Sequence, residues 1–504
     1  MSKLLFRAHA PWGADHNISE ILINNEVGGN TGNVIILQAV MRALMTEGTE
    51  IETMNFMNRK RITQREVDFC NSEYDAFIIP LANAFRMQFV RELNVISDFI
   101  ERLTIPCIVA GVGMQAISDL SDRNKAMDDS VRRFMDAVLE KSSIVGLRGE
   151  LTAEYLKSLG YREEKDYTVI GCPSMYTFGD SLPEPRLSDL TPDSKVSYNY
   201  KPTLEREHYD IIRREAGRFH DAIFISQIPN EVRNLYVGYQ YAKSMEPSFP
   251  PDYPAHLSAP EIAEDRMVGV VDKPSWIEFI KGRDFNFGSR IHGNIVSILA
   301  GTPCYIIAGD SRVRELASYH NIPFTLYSDL EDGTTIFDLY EKADYGMLHR
   351  GHKDRVSHYL DFFERNGIPH VERSVLNGDD APFDRIIRNK ESLGVIHSFP
   401  TVGAAEWERR INEYETVYTD QIRDFKQTQK ELKEELACVK RENKETIRAL
   451  NRELNAIKGS RFWKLRNFCI RVFPGSRRTE FEYRRGMFYR TLCRINNPFI
   501  RIGE

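Results

Sequence analysis

The densest group of residues able to do chemistry is Phe287-Gly288-Ser289-Arg290-Ile291-His292-Gly293-Asn294. It falls where a β-rich run over residues 284–288 gives way to a helical run over 291–300. Parallel sheets bind ligands at the carboxyl ends of their strands, where helix starts offer unpaired N–H groups and a positive dipole. Arg290 offers a bidentate fork for phosphate or carboxylate, and His292, two residues on, can move a proton near neutral pH. Read this way, Arg290 and His292 are the catalytic pair, with Ser289 and Gly293 as flanking substrate contacts. The other reading is an arginine that ends a strand and a histidine that packs.

Other strand-to-helix turns supply companions. In Ala308-Gly309-Asp310-Ser311-Arg312, Asp310 reads as a helix N-cap, and Arg312 extends a positive pocket or lies on a helix surface. Leu147-Arg148-Gly149-Glu150 places Arg148 where Arg290 stands in the later segment, so the two arginines are expected to face each other across a cleft. Gly111, Gly113 and Gln115 follow a buried-type run and are candidates for lining that cleft. Val27-Gly28-Gly29-Asn30-Thr31-Gly32-Asn33 precedes a helix, so Gly28 and Asn30 are further binding candidates; a plain turn is the alternative. No Gly-x-Gly-x-x-Gly or phosphate-loop motif occurs, and no serine-hydrolase elbow. No metal site is read: His349 and His352 lack an acidic or cysteine partner and are taken as a solvated face.

These turns need a frame. Residues 1–185 alternate strand-like runs (4–9, 51–56, 75–80, 106–111, 143–147, 167–171) with helical stretches (33–46, 86–103, 123–141, 150–159), which is the pattern of a doubly wound parallel sheet. Gly160 reads as the cap of the last helix. Pro183, Pro185 and Pro192 break the period, and the alternation then resumes with strands at 194–200, 221–227, 266–271, 284–288 and 303–308. The fold class is therefore α/β with two Rossmann-like domains, residues 1–185 and 186–375. Residues 376–404 read as a linker. Between 405 and 458 there is no glycine or proline, and Ile422, Gln429, Leu436, Asn443, Leu450 and Ile457 recur every seven residues. Tyr418, Phe425, Leu432, Val439 and Thr446 form a second row three residues on, the a/d seam of a coiled coil; a homodimer is expected, with Asn443 suiting a parallel pair.

Composition narrows the classes. The chain has 504 residues, 42% hydrophobic and 28% charged, so bulk disorder is excluded. No apolar run approaches the ~20 residues of a membrane span. Its seven cysteines are scattered without a Cys-x-x-Cys pair, which suits reduced thiols in a cytoplasmic protein. The net charge of −6 divides unevenly: from Lys458 onward twelve Lys/Arg stand against three Asp/Glu, +9, which leaves −15 for the preceding residues. In the segment 459–504 Trp463, Phe468, Ile470, Phe473, Phe481, Phe488 and Phe499 interleave with the cations. That composition fits a tail lying on the inner face of the plasma membrane, or a folded extension docked on the body. Nucleic acid is disfavoured by the acidic body.

Together these residues resemble the polysaccharide pyruvyl transferase family. The resemblance rests on Gly288-Ser289-Arg290-Ile291-His292-Gly293 with Ser297-Ile298-Leu299-Ala300-Gly301-Thr302-Pro303, then Asp310-Ser311-Arg312 with Glu315, and Asn321-Ile322-Pro323. Upstream, Ala110-Gly111-Val112-Gly113 and 145–152 fit as well, so residues 20–330 are covered. The resemblance implies a fold similar to the glycosyltransferase-B type. It also implies transfer of a pyruvyl group from phosphoenolpyruvate to two hydroxyls of a sugar, on a cell-surface glycan or its lipid-linked precursor, with no cofactor and no metal. Many members of that family carry an acidic residue in the N-terminal glycine turn where this chain has Asn33, so either its acceptor side differs or that loop is structural only. The stretch 236–260 is a candidate acceptor loop or an inert excursion. Two other readings remain open: a nucleotide-sugar-dependent glycosyltransferase of the same architecture, and a non-catalytic scaffold of a glycan assembly complex.

Overall fold

A computed structural model describes residues 2–11, 13, 15–56, 59, 61–115, 125–201, 204–239, 249–250, 252–309, 311–460 and 463–464. The chain divides into two compact units, Met1–Tyr418 and Thr419–Glu504.

The first half of the larger unit runs β1 (Ser2–Arg7), α1 (Ile18–Ile23), α2 (Gly32–Leu44), β2 (Thr49–Met54), α3 (Gln64–Glu73), β3 (Ala76–Pro80), β4 (Asn83–Phe85), α4 (Val90–Arg102), β5 (Cys107–Met114), α5 (Lys125–Leu139), β6 (Val145–Leu147), α6 (Glu150–Ser158) and β7 (Tyr167–Val169). The strands form one parallel sheet in the order β2-β1-β3-β5-β6-β7, with β4 paired to the end of β5. All of β3 and β5 is buried, as expected of strands covered by helices on both faces. Gly160 does close α6: it takes φ +98° and donates its N–H to Lys157.

The second half runs β8 (Lys195–Asn199), α7 (Arg206–Ala216), β9 (Asp221–Ser226), α8 (Pro229–Val237), α9 (Pro260–Ala263), β10 (Met267–Gly269), α10 (Lys273–Lys281), β11 (Phe285–Gly288), α11 (Ile291–Leu299), β12 (Cys304–Ala308), α12 (Ser311–Tyr319), β13 (Phe324–Leu326) and α13 (Ile336–Lys342). Its parallel sheet has the order β10-β9-β8-β11-β12-β13. In both sheets the chain first winds one way and then returns to the other side of its first strand. The switch points are β1/β3 and β8/β11, and each opens a crevice at the carboxyl end of the sheet.

The chain then goes back. α14 (His352–Arg365), α15 (Arg373–Leu376) and α16 (Pro382–Arg388) were expected partly in the second domain and partly in a linker, yet they dock on the first half. The spacing of Val356, Tyr359, Leu360 and Phe363 makes one face of α14 apolar, and that face is buried. Phe362 lies against Gly146 of β6, and Asn366 Oδ1 accepts the N–H groups of Ser143 and Ile144 at 3.0 and 3.2 Å. Arg42 of α2, 2% exposed, donates to Asp384 and to the carbonyls of Leu376 and Gly378. Beyond α16, Ile396 pairs antiparallel with Gly269, back in the second half. His352 is not on a solvated face: it is buried, with Nε2 2.9 Å from the Gly179 carbonyl.

The last helix, α17 (Ala404–Gly459), spans both units. Its first turns belong to the larger one, where Glu413 accepts from Ser19 at 2.9 Å. In the smaller unit it is a single helix on which Ile422, Phe425, Leu432, Leu436, Val439 and Leu450 are all exposed. The basic stretch beyond it, 465–504, lies outside the described residues, as do Arg461 and Phe462. No helix among the described residues is long and apolar enough to cross a membrane.

Candidate active site

A cavity of about 590 Å³ opens between the two sheets of the larger unit. Its wall is built from strand ends. Arg7 and His9 leave β1, Ala82 follows β3, Gln115 follows β5 and Arg148 follows β6. From the other side come Lys201 after β8, Gln227 after β9, Arg290 after β11 and Arg312 after β12. Five arginines and one lysine thus face two carboxylates, Glu26 and Glu92.

The Gly-Ser-Arg turn is set by Asn199 at the end of β8. Its carbonyl accepts the Ser289 N–H and its Oδ1 accepts the Arg290 N–H, both at 2.9 Å. Gly288 has φ +144°, and a Cβ there would lie 1.9 Å from that same carbonyl, so only glycine lets β11 turn against β8. Arg290 then becomes the N-cap of α11 and His292 sits in its first turn. His292 is 8% exposed, with Nε2 3.7 Å from Cys172 Sγ. Arg148, 1% exposed, donates to the same sulfur at 3.9 Å, so one thiol joins a first-half cation to a second-half imidazole. Gly32 closes the other side, its Cα facing the His292 ring so closely that a Cβ would come within 2.6 Å. The loop before it is anchored across the cleft, where Thr31 donates its hydroxyl to the Val270 carbonyl at 2.7 Å.

The electrostatics follow from burial. His292 is pushed well below its ordinary value by burial first and then by Arg148, Arg312 and Arg290, so it rests as a neutral imidazole. Burial also lowers Arg290, although Glu231 opposes it, and lowers Arg148 and Arg86, each of which has Arg312 as a like-charged neighbour. Arg7 is lowered to about 10 and His9 to about 4, both mainly by burial. Glu315 on α12, which accepts the Thr152 N–H, is pushed up to about 7 by burial despite Arg148. Several polar atoms are buried without a partner: Nε of Arg7, Arg86 and Arg148, and both amide atoms of Gln227. Four of these atoms are donors and one is an acceptor, so the cavity wall offers both kinds of partner to a polar ligand.

Of the residues singled out in the sequence, His292, Arg290, Arg148, Asn30, Gln115 and Arg312 line the cavity. Five do not. Gly28, Gly113 and Gly293 make room for His9, Arg148 and Asn199 respectively, and Gly111 takes φ +80° beside Pro173. Ser289 is buried beneath the turn with its hydroxyl unpartnered. Arg7, His9, Arg86, Lys201 and Gln227 were passed over, although three of them, His9, Lys201 and Gln227, stand at or just beyond the ends of expected strands. Among the described residues no group of His, Cys, Asp and Glu could hold a metal ion. In the 236–260 stretch residues 240–248 and 251 lie outside the described residues, while Tyr253 packs at the second sheet against Tyr200.

The family described as polysaccharide pyruvyl transferase matches residues 30–311, more than half of the chain. No curated protein matches. Solved structures resemble it distantly. The Staphylococcus aureus MnaA–UDP complex is 12% identical and aligns over 78% of this chain and 99% of its own, with a TM-score of 0.34. Sucrose-phosphate synthase from Thermosynechococcus elongatus is 11% identical over 73% and 96%, with a TM-score of 0.37. A Klebsiella pneumoniae protein of uncharacterised function is 13% identical over 64% and 93%, with a TM-score of 0.33.

Proposed function

Because this chain belongs to the polysaccharide pyruvyl transferase family, we propose that it moves the pyruvyl group of phosphoenolpyruvate onto two hydroxyls of a saccharide. The product is a cyclic ketal, and phosphate is released. The observation that carries this reading is the meeting of Arg148, Arg290 and Arg312 with a neutral His292 in one cavity. The donor carries a phosphate and a carboxylate, and arginine forks suit both. As a neutral imidazole His292 can take the proton of the first sugar hydroxyl and pass it to the donor's methylene carbon, which becomes the methyl group. As that carbon takes the proton, C2 becomes electrophilic and the sugar oxygen bonds to it. The C2–O bond to phosphate breaks as the second hydroxyl closes the ketal, and the second hydroxyl's proton leaves with the phosphate. Atoms balance, and His292 ends as it began.

The remaining features suit this role. The acceptor is a cell-surface glycan or its lipid-linked precursor, the heptad seam of α17 pairs two copies, and the basic aromatic segment 459–504 holds the enzyme to the cytoplasmic membrane face. The decisive experiment supplies purified protein with phosphoenolpyruvate and a panel of glycans and follows phosphate release. Release of a nucleoside diphosphate from a nucleotide sugar instead would overturn the donor. Arg290→Ala should weaken phosphoenolpyruvate binding by about 2–5 kcal/mol. His292→Ala should keep donor binding and lose about 100-fold or more in turnover. A pH–rate profile unchanged in that variant removes His292 from the chemistry.

A further inference from the structure

The cavity's five arginines fall into two neighbourhoods. One surrounds His292 and consists of Arg148, Arg290 and Arg312, which with burial hold that histidine down. The other lies at the β1/β3 switch point. There the guanidinium groups of Arg7 and Arg86 sit over the ring of Phe89, 5.7 and 5.9 Å from its centroid. Glu92 partly offsets the burial of Arg7, and Arg7 adds to the burial that lowers His9. Arg86 links the two groups, since Arg312 is its like-charged neighbour.

The sheet explains the separation. β3 and β5 stand between β1 and β6, so Arg7 and Arg148 leave backbones three strand spacings apart, roughly 14 Å. Phosphoenolpyruvate carries one carboxylate and one phosphate, and the three arginines around His292 suffice for both. Yet the second neighbourhood is built for an anion as well. Two arginines face a single carboxylate there, and the buried Nε atoms of both arginines have no partner. A neutral sugar would leave those donors unsatisfied in a partly dry cleft, at a free-energy cost.

We infer that Arg7 and Arg86, clamped on Phe89, form a second anion subsite that binds an acidic group on the acceptor saccharide, a phosphate ester or a uronate carboxylate. This deepens the pyruvyl-transfer reading and rests on it for the word acceptor; the subsite itself does not depend on the donor. Arg7 and Arg86 are thus specificity residues: they hold the acceptor by its charge so that its hydroxyls lie towards His292.

The test is calorimetry on the full chain. Inorganic phosphate should bind at two sites; Arg7→Gln should remove one and Arg148→Gln the other. Phosphoenolpyruvate affinity should stay within about threefold in Arg7→Gln and fall in Arg148→Gln. With phosphoenolpyruvate saturating, wild-type protein should bind glucose 1-phosphate or glucuronate at least about tenfold tighter than glucose, and the stronger of the two identifies the acidic group. This last measurement needs no variant, so misfolding of Arg7→Gln cannot shield the idea. One phosphate per chain, equal affinity for glucose, or displacement of phosphoenolpyruvate by the sugar acids would each overturn it. Two phosphate sites without phosphoenolpyruvate binding would reject the donor and leave the second subsite standing.

Discussion

Gly32→Ala isolates the placement of His292 from its chemistry. A methyl group at position 32 would lie 2.6 Å from Cγ and Nδ1 of the imidazole and 2.8 Å from its Cβ. Ordinary carbon contacts are ~3.5–4.0 Å, so the ring or the start of α2 must retreat by about 1 Å. Overpacking of this kind costs about 1–3 kcal/mol, partly offset by the better helix propensity of alanine. For a unit of 418 residues, with an unfolding entropy of roughly 2.1 cal/mol/K per residue, that is a fall in Tm of only ~1–3 °C. Catalysis is far more sensitive, since a displacement of 1 Å at a reacting group can lower the rate by about 100-fold. Arg290 and Arg312 are not displaced, so donor affinity should hold. The assay is phosphate release from phosphoenolpyruvate with the acceptor the glycan panel identifies, alongside calorimetry with the donor and a thermal melt. Gly217→Ala, where the nearest atoms are 3.5 Å away, serves as the control. Turnover within about threefold of wild type, with the melt unchanged, would refute the claim that Gly32 sets the position of His292.

Stability should fall as pH drops through about 6.5. Burial lowers the folded-state values of His9 and His352 to about 4 and those of His292 and His320 well below the ordinary value, so below pH ~6.5 the unfolded chain binds more protons. The loss approaches ~1.4 kcal/mol per pH unit for each histidine, read from denaturant midpoints between pH 7 and 5. Glu315, raised to about 7, opposes it over the same window by taking up a proton in the folded state, so Glu315→Gln should show the steeper acid loss. Arg42→Ala should destabilise by about 3–5 kcal/mol, because it strands Asp384 and two carbonyls; a change in midpoint equivalent to less than ~1 kcal/mol would deny the return segment its clamp. Replacing Leu436 and Leu450 with Asp should convert a dimer to monomers by light scattering, and a monomeric wild type at micromolar concentration would end the coiled-coil reading. Full-length protein should sediment with anionic vesicles at low salt whereas a chain ending at Lys458 should not; if neither sediments, the tail is no lipid anchor.

What was legible in the sequence follows the strength of local signals. Every strand expected in the two domains is present, because strands buried on both faces read as apolar runs between turn residues. β4 and β13 were missed: three residues are too few to show a period. α14 to α16 were placed with the wrong neighbours because amphipathicity says that a face will be covered but not by what. The place of Arg148, Arg290 and Arg312 on the cavity wall was legible because each stands where a strand gives way to a helix within a recognisable turn. Arg7 and His9 carry the same signal at the end of β1, but no glycine-rich turn drew attention to them. Arg86 was hidden by β4, since its segment read as the start of a helix. The pairing of neighbourhoods around His292 and Phe89 joins residues far apart in sequence and has no local trace.

Four crossings hold the cleft in shape. Thr31 reaches from the first half to Val270, α14 returns from the second half to lie beneath β6, Arg42 locks α16 to α2, and Ile396 pairs again with Gly269. Because the two sheets are joined this often, the arginines at their edges cannot swing apart to relieve their mutual repulsion. Burial and like charge therefore press on them continuously, and that pressure is what lowers Arg148 and keeps His292 neutral. Folding alone gains nothing from such an arrangement, since buried cations pressed by like charge oppose it. Under the proposed function anions make it favourable, each removing a desolvation penalty already incurred by the scaffold. The charges would then meet the donor's phosphate and carboxylate, and an acidic group on the acceptor, with little reorganisation.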